Sequence, residues 1–159
     1  MSIRWETPYR AAGKRLYIGI DPGASGGIAM LDAQGRVVAL EKMPATDRDI
    51  LDVLAQATEL EWTPTAVLEF VRSSPQMGVV SAFTFGCGWG ALRMALCASQ
   101  IPFDEVTPAK WQRALSCLTH GDKNVSKRRA QELFPGQKVT HATADALLLA
   151  EYGRRNAVS

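Results

Sequence analysis

Residues 16–32, "LYIGIDPGASGGIAMLD", decide how the rest of the chain is read. Residues 16–20 form a near-continuous apolar run, which suits a strand buried on both faces. The run ends on a carboxylate, Asp21, followed at once by Pro22 and Gly23. Pro22 biases the preceding residue to extended backbone, so the acid is held at the strand end. It is either a turn former or half of a metal site. "GASGG" is glycine-rich, but it lacks the Lys and the spacing of a phosphate-binding P-loop. Residues 28–31 resume as a second strand. "DAQG", with Gly35 available for positive φ, turns into a third over residues 37–43, completing an antiparallel meander.

Further along, residues 46–49 make a start of capping-box type, with Asp in place of the usual Glu. The helix they open places Ile50, Leu51, Leu54 and Ala57 on one face. Pro64 introduces a short strand, "TAVLEF", with Glu69 at its end. Val80, Phe83, Cys87, Ala91, Met94 and Ala98 then recur at helical spacing through residues 76–99. Gly86, Gly88 and Gly90 lower that helix's propensity by about 1 kcal/mol each, which close approach of another backbone would offset. "IPFDEV" reads as a strand, and Thr107-Pro108 as a helix start with Pro at the first position. Asp122 caps a helix ended by Pro135 and Gly136. Thr140 caps the last, which is expected to stop at Gly153. Three strands, helix, strand, long helix, strand and three helices predict one α/β domain, with a mixed five-stranded sheet flanked by helices.

A length of 159 residues, 47% of them apolar and 21% charged, fits a single globular core and excludes a disordered chain. Residues 1–14 lack a signal-peptide pattern and are expected to form a flexible arm, with the domain over 15–155 and a tail over 156–159. Gly, Arg or Gln interrupts each apolar run, so no membrane span is expected. Cys87, Cys97 and Cys117 are widely spaced with no Cys-x-x-Cys pair. They read as reduced thiols in a cytoplasmic protein, without disulfides or structural zinc. The net charge of +2 says little, but Lys110, Arg113, Lys123, Lys127, Arg128 and Arg129 face only Asp122 between residues 107 and 129. Such a block suits either a phosphate-binding face or a solvated helix face.

Four positions could meet. If the strands ending on Asp21 and Glu69 are parallel neighbours, both acids project at one sheet edge, where open α/β sheets place their sites. His141 and Asp145 share a helix face. Asp145 lies between Ala144 and "ALLLA", in a segment suited to burial, and an unpaired buried carboxylate is costly. A divalent cation or an arginine partner resolves that cost. Three acids and an imidazole could hold two Mg²⁺ ions, a donor set suited to phosphodiester hydrolysis.

The segments "GIDPGASGGIAMLD", "VLEF", "IPFDEVTPAKWQ", "GDKNVSKRRAQELFP" and "ATADALLLAEYGRR" occur in the order found in RuvC-like Holliday junction resolvases, and the chain resembles that family over residues 16–155. It looks closest to the compact members of phages and prophages. The resemblance implies a ribonuclease H-like fold, a homodimer, and paired symmetric nicks in four-way DNA with 5′-phosphate products, using Mg²⁺ or Mn²⁺ with two ions per site. It matches Asp21, Glu69, His141 and Asp145 to the metal ligands and Lys123 to a catalytic lysine. His141 departs from the commoner Asp, and the softer imidazole favours Mn²⁺ over Mg²⁺. Lys110 matches a second phosphate-proximal lysine. Lys127, Arg128 and Arg129 suit DNA-backbone contact, Arg72 is the expected contact in "FVRSSPQMG", and Phe70 is expected to pack in the core. The glycine-rich helix matches the dimer-packing element of relatives.

Two other nucleic-acid readings stay open: a branched-DNA binding protein that does not cleave, and a broader debranching nuclease for DNA recombination, repair or phage DNA processing. An actin- or hexokinase-type ATPase also places Asp and Gly after a strand, but it needs two such domains around its nucleotide, more than 159 residues supply. No nucleotide cofactor is therefore expected.

Overall fold

The computed structural model describes residues 13–59 and 61–157. The elements run β1 (Lys14–Asp21), β2 (Gly27–Asp32), β3 (Val37–Lys42), α1 (Asp47–Gln56), β4 (Trp62–Glu69), α2 (Val79–Ala98), β5 (Phe103–Val106), α3 (Pro108–Ala114), α4 (Lys123–Leu133) and α5 (His141–Asn156). The sheet order is β3-β2-β1-β4-β5. The predicted meander is antiparallel, and β4 joins β1 in parallel with Ile20 opposite Leu68. β5 adds in parallel to β4. The first twelve residues, expected as an arm, lie outside the described residues.

Strand alternation sorts the core into two layers. Leu16, Ile18, Ile20, Ala66 and Leu68 face α1 and α2, with Leu54, Leu92 and Leu96. Ala29, Leu31, Val67 and Val106 face the layer built on α5, with Trp111 from α3 and Ala130 from α4. α5 lies directly on β1 because residue 19 is glycine: a Cβ there would stand 2.1 Å from the Ala146 carbonyl oxygen. That close approach sets the depth at which α5 crosses the strand end.

Four details differ from expectation. Pro64 lies within β4 rather than before it. The amide of Ala66 donates to the Pro102 carbonyl and that of Phe70 to Val106, so the even positions point to β5, whose pairing starts only at Ala66. Pro64, lacking an N–H, therefore costs no ladder bond. α5 runs past Gly153 to Asn156, since that glycine is needed for packing: a Cβ would lie 2.9 Å from Val67 Cγ2. On α2 the expected stripe faces outward. Leu92 and Leu96 are buried, while Val80 and Phe83 are 80% and 73% exposed. Both faces of that helix are apolar, so its period cannot tell inside from outside. For the same reason α2 is long and apolar enough to qualify as a membrane span on length and composition, contrary to the sequence expectation. Glycines do not interrupt such a run, and Arg93 is the one charge within it.

Candidate active site

Asp21 closes β1 and Glu69 closes its parallel neighbour β4. Both sit in the alternation that faces α5, two residues beyond Gly19 and Val67. Glycine at residue 26 allows the following loop to fold back on Asp21, since a Cβ there would meet the Asp21 carbonyl oxygen at 2.0 Å. Asp145 arrives from α5, whose start is fixed by a capping box between Thr140 and Thr143. Three carboxylates thus come from three elements: the ends of β1 and β4 and the first turns of α5.

Their electrostatics show the mutual proximity. Burial, reinforced by the charges of Glu69 and Asp145, pushes the Asp21 carboxyl up to about 8, with Lys123 pulling the other way. Asp21 keeps part of its surface open. Crowding by protein atoms, rather than full enclosure, desolvates its charge. Burial likewise pushes Glu69 up to about 7; a hydrogen bond from Trp111 opposes the rise, Asp145 adds to it and Lys123 lowers it. Asp145 is raised, by burial above all, while Ser126, Lys123 and His141 pull it down. Its Oδ1 is buried without a hydrogen-bond partner. Among the described residues, no three His, Cys, Asp or Glu side chains converge closely enough to hold a metal ion as they stand. The carboxylates are coupled by charge, not yet by a shared coordination geometry.

The other predicted residues separate into groups. Lys123 is the cation acting on all three acids; it is exposed and opens α4, whose N-cap Asp122 accepts from the Asn124 amide. His141, the exposed first residue of α5, acts on Asp145, which places it at the rim. Lys110 is exposed on α3 and lines a cavity of about 480 Å³ with Asp104, Tyr152 and Asn156. Arg128 is exposed and Lys127 half-buried on α4. Arg129 is committed internally: its Nε donates to the Leu115 carbonyl at 3.0 Å and its guanidinium pairs with Glu132 at 3.0 Å. Arg72 is exposed and stacks over Phe70 at 5.2 Å. Phe70 is half-buried, as expected of a packing residue, and meets Trp89 edge-on at 5.9 Å.

Trp111 was not singled out by the sequence. Fully buried on α3, it donates from Nε1 to Glu69 Oε2 at 2.7 Å. Trp89 donates to the Glu69 carbonyl at 3.3 Å. The one available signal was that a buried indole N–H needs an acceptor, and "TPAKWQ" carries such a Trp beside the strand ends.

No family model and no curated protein sequence matches the chain. Solved structures do. The Thermus thermophilus RuvC structure aligns at 18% identity with a TM-score of 0.62, over 88% of this chain and 95% of that one. T. thermophilus RuvC in complex with a Holliday junction substrate aligns at 18% identity with a TM-score of 0.64, over 90% and 96%. At those TM-scores, over nearly the whole of both chains, the mixed five-stranded sheet with its flanking helices has the ribonuclease H-like fold of RuvC.

Proposed function

We propose that this protein is a divalent-metal-dependent endonuclease acting on four-way or otherwise branched DNA as a homodimer. One observation supports the reading: Asp21, Glu69 and Asp145, each acted on by the charge of Lys123, come from three elements of a fold whose solved neighbour is a RuvC in complex with a Holliday junction substrate. Three acids all raised by burial, two of them further by the charge of Asp145, whose own Oδ1 is a buried orphan, are poorly served by protein alone. Hard oxygen donors of this kind suit Mg²⁺ or Mn²⁺, with His141 as the rim ligand, once the side chains draw in. Bound there, divalent ions supply charge neutralisation and a water nucleophile at neutral pH.

The chain's own groups do the rest. The Lys123 ammonium, at the N-terminus of α4, offers positive charge to a phosphoryl oxygen. Arg128 and Lys127 suit contact with the DNA backbone, as does Arg72 from its stack over Phe70, with Lys110 further out; Arg129 takes part only by releasing Glu132. The outer face of α2 suits pairing with a second copy. Val79, Val80, Phe83 and Met94 are exposed, and a Cβ on Gly86, Gly88 or Gly90 would meet nothing within 4 Å. A two-fold dimer presents two sites to a two-fold junction. The cytoplasm is the compartment such a role requires. End-labelled four-way junctions, with linear duplex and Y-shaped controls, test the reading. Paired nicks on opposing strands support it, and binding without cleavage in either Mg²⁺ or Mn²⁺ selects the non-cleaving branched-DNA binder.

A further inference from the structure

We propose that Trp111 is the positioning residue for Glu69: its indole engages one carboxylate oxygen, Oε2, and so directs the other, Oε1, toward the cation. The inference rests on the metal-site reading above and adds to it the means by which one ligand is aimed. Trp111 Nε1 lies 2.7 Å from Oε2, within the range of a charge-assisted bond, and the whole ring is closed to solvent. Among the described residues, no hydrogen bond is made to Oε1.

Packing alone does not account for this choice of partner. A phenylalanine would fill most of the same space on α3 and bring no donor to satisfy. A tryptophan kept only for its bulk would be served by any main-chain carbonyl. Here the donor is given to a carboxylate 8% exposed, whose charged form is expensive to hold in that setting without a hydrogen-bond or cation partner. The main chain of the same residue is fixed as well. Trp89 Nε1 reaches the Glu69 carbonyl at 3.3 Å, and its ring is braced by Phe70 and covered by the Arg93 guanidinium at 4.9 Å. With the strand end held by one indole and the side chain by another, Glu69 has little rotamer freedom left. Partners of this kind set ligand orientation, and their loss costs about 10- to 100-fold in metal affinity.

The test uses the full chain and the metal alone. Indole ¹H–¹⁵N NMR resolves the four tryptophans, and the Trp111 signal is identified by its loss in Trp111→Phe. On titration with Mg²⁺ that signal is expected to shift saturably. Trp111→Phe is expected to bind Mg²⁺ and Mn²⁺ about 10-fold more weakly, with junction kcat reduced and KM within about twofold. Trp62→Phe, at the opposite end of β4, leaves all of these unchanged. The proposal is overturned if the Trp111 signal stays fixed while other signals report saturation, or if folded Trp111→Phe binds metal with unchanged affinity. Should the variant not fold, the wild-type indole titration decides alone. A wild type that binds neither ion overturns the metal-site reading, and this proposal with it, a result distinct from the other two.

Discussion

Asp21→Asn is expected to stabilise the metal-free protein while removing its response to metal. In the fold the Asp21 carboxyl is raised from 3.8 to about 8, so folding favours its protonated form. The contribution of this group to wild-type stability is then fully present below pH 3.8 and is lost as pH rises through the interval to about 8. A tenfold change in proton affinity is worth about 1.4 kcal/mol, so the loss above pH 8 is at most ~6 kcal/mol. Asp21 keeps part of its surface open, so solvent screening cuts that ceiling to about a third, while the Asn amide and the protonated carboxyl carry similar desolvation costs of roughly 1–3 kcal/mol that cancel. A net gain of about 2 kcal/mol at pH 8 remains. Urea unfolding in EDTA at pH 4 and pH 8 measures it: the two proteins should converge at pH 4 and separate at pH 8, the variant being the more stable. Adding Mn²⁺ at pH 8 should then raise the wild-type midpoint and leave the variant's in place. An Asp21→Asn protein less stable than wild type at pH 8 in EDTA would refute the reasoning, because it would show the carboxylate to be a satisfied structural group.

Gly19→Ala should cost more than about 3 kcal/mol or abolish folding, since its methyl group would collide with main-chain atoms of Ala146 and Ala150; urea melts check this. Phe83→Asp on the outer face of α2 should convert a dimer to monomer in sedimentation velocity without lowering the monomer's thermal stability. Glu151 is buried and bonded by Arg154 at 2.7 and 2.8 Å and by Arg155 at 2.6 Å, so Glu151→Ala should destabilise by about 2–3 kcal/mol at pH 7. Its carboxyl is held below the usual range, so that contribution is present above the ordinary glutamate pKa and fades as pH falls through the lowered one. Lys123→Ala should reduce junction cleavage by at least about tenfold while leaving metal affinity nearly intact, measured by single-turnover kinetics beside a metal titration.

The sheet, and the placing of the candidate acids at its strand ends and on its last helix, were legible because their signals are local. A strand that ends on an acid before Pro-Gly, a second strand ending on Glu69, and an aspartate set in an apolar helix each carry their own warning. What escaped was relational. The orientation of α2 depends on which of two apolar faces meets the sheet, and sequence period is the same for both. The end of α5 escaped because Gly153 serves contact with Val67 and not a cap. The Trp111–Glu69 bond joins residues 42 apart, and Arg129 turns inward to a loop carbonyl from within a basic run that looks uniform.

A crystal grown with Mn²⁺ and measured at the manganese edge tests the shared acidic site most directly. Anomalous density bounded by Asp21, Glu69 and Asp145, and absent from Asp21→Asn crystals, is the expected result. A wild-type crystal at saturating Mn²⁺ with no such density, or with the ion held elsewhere on the chain, would contradict it.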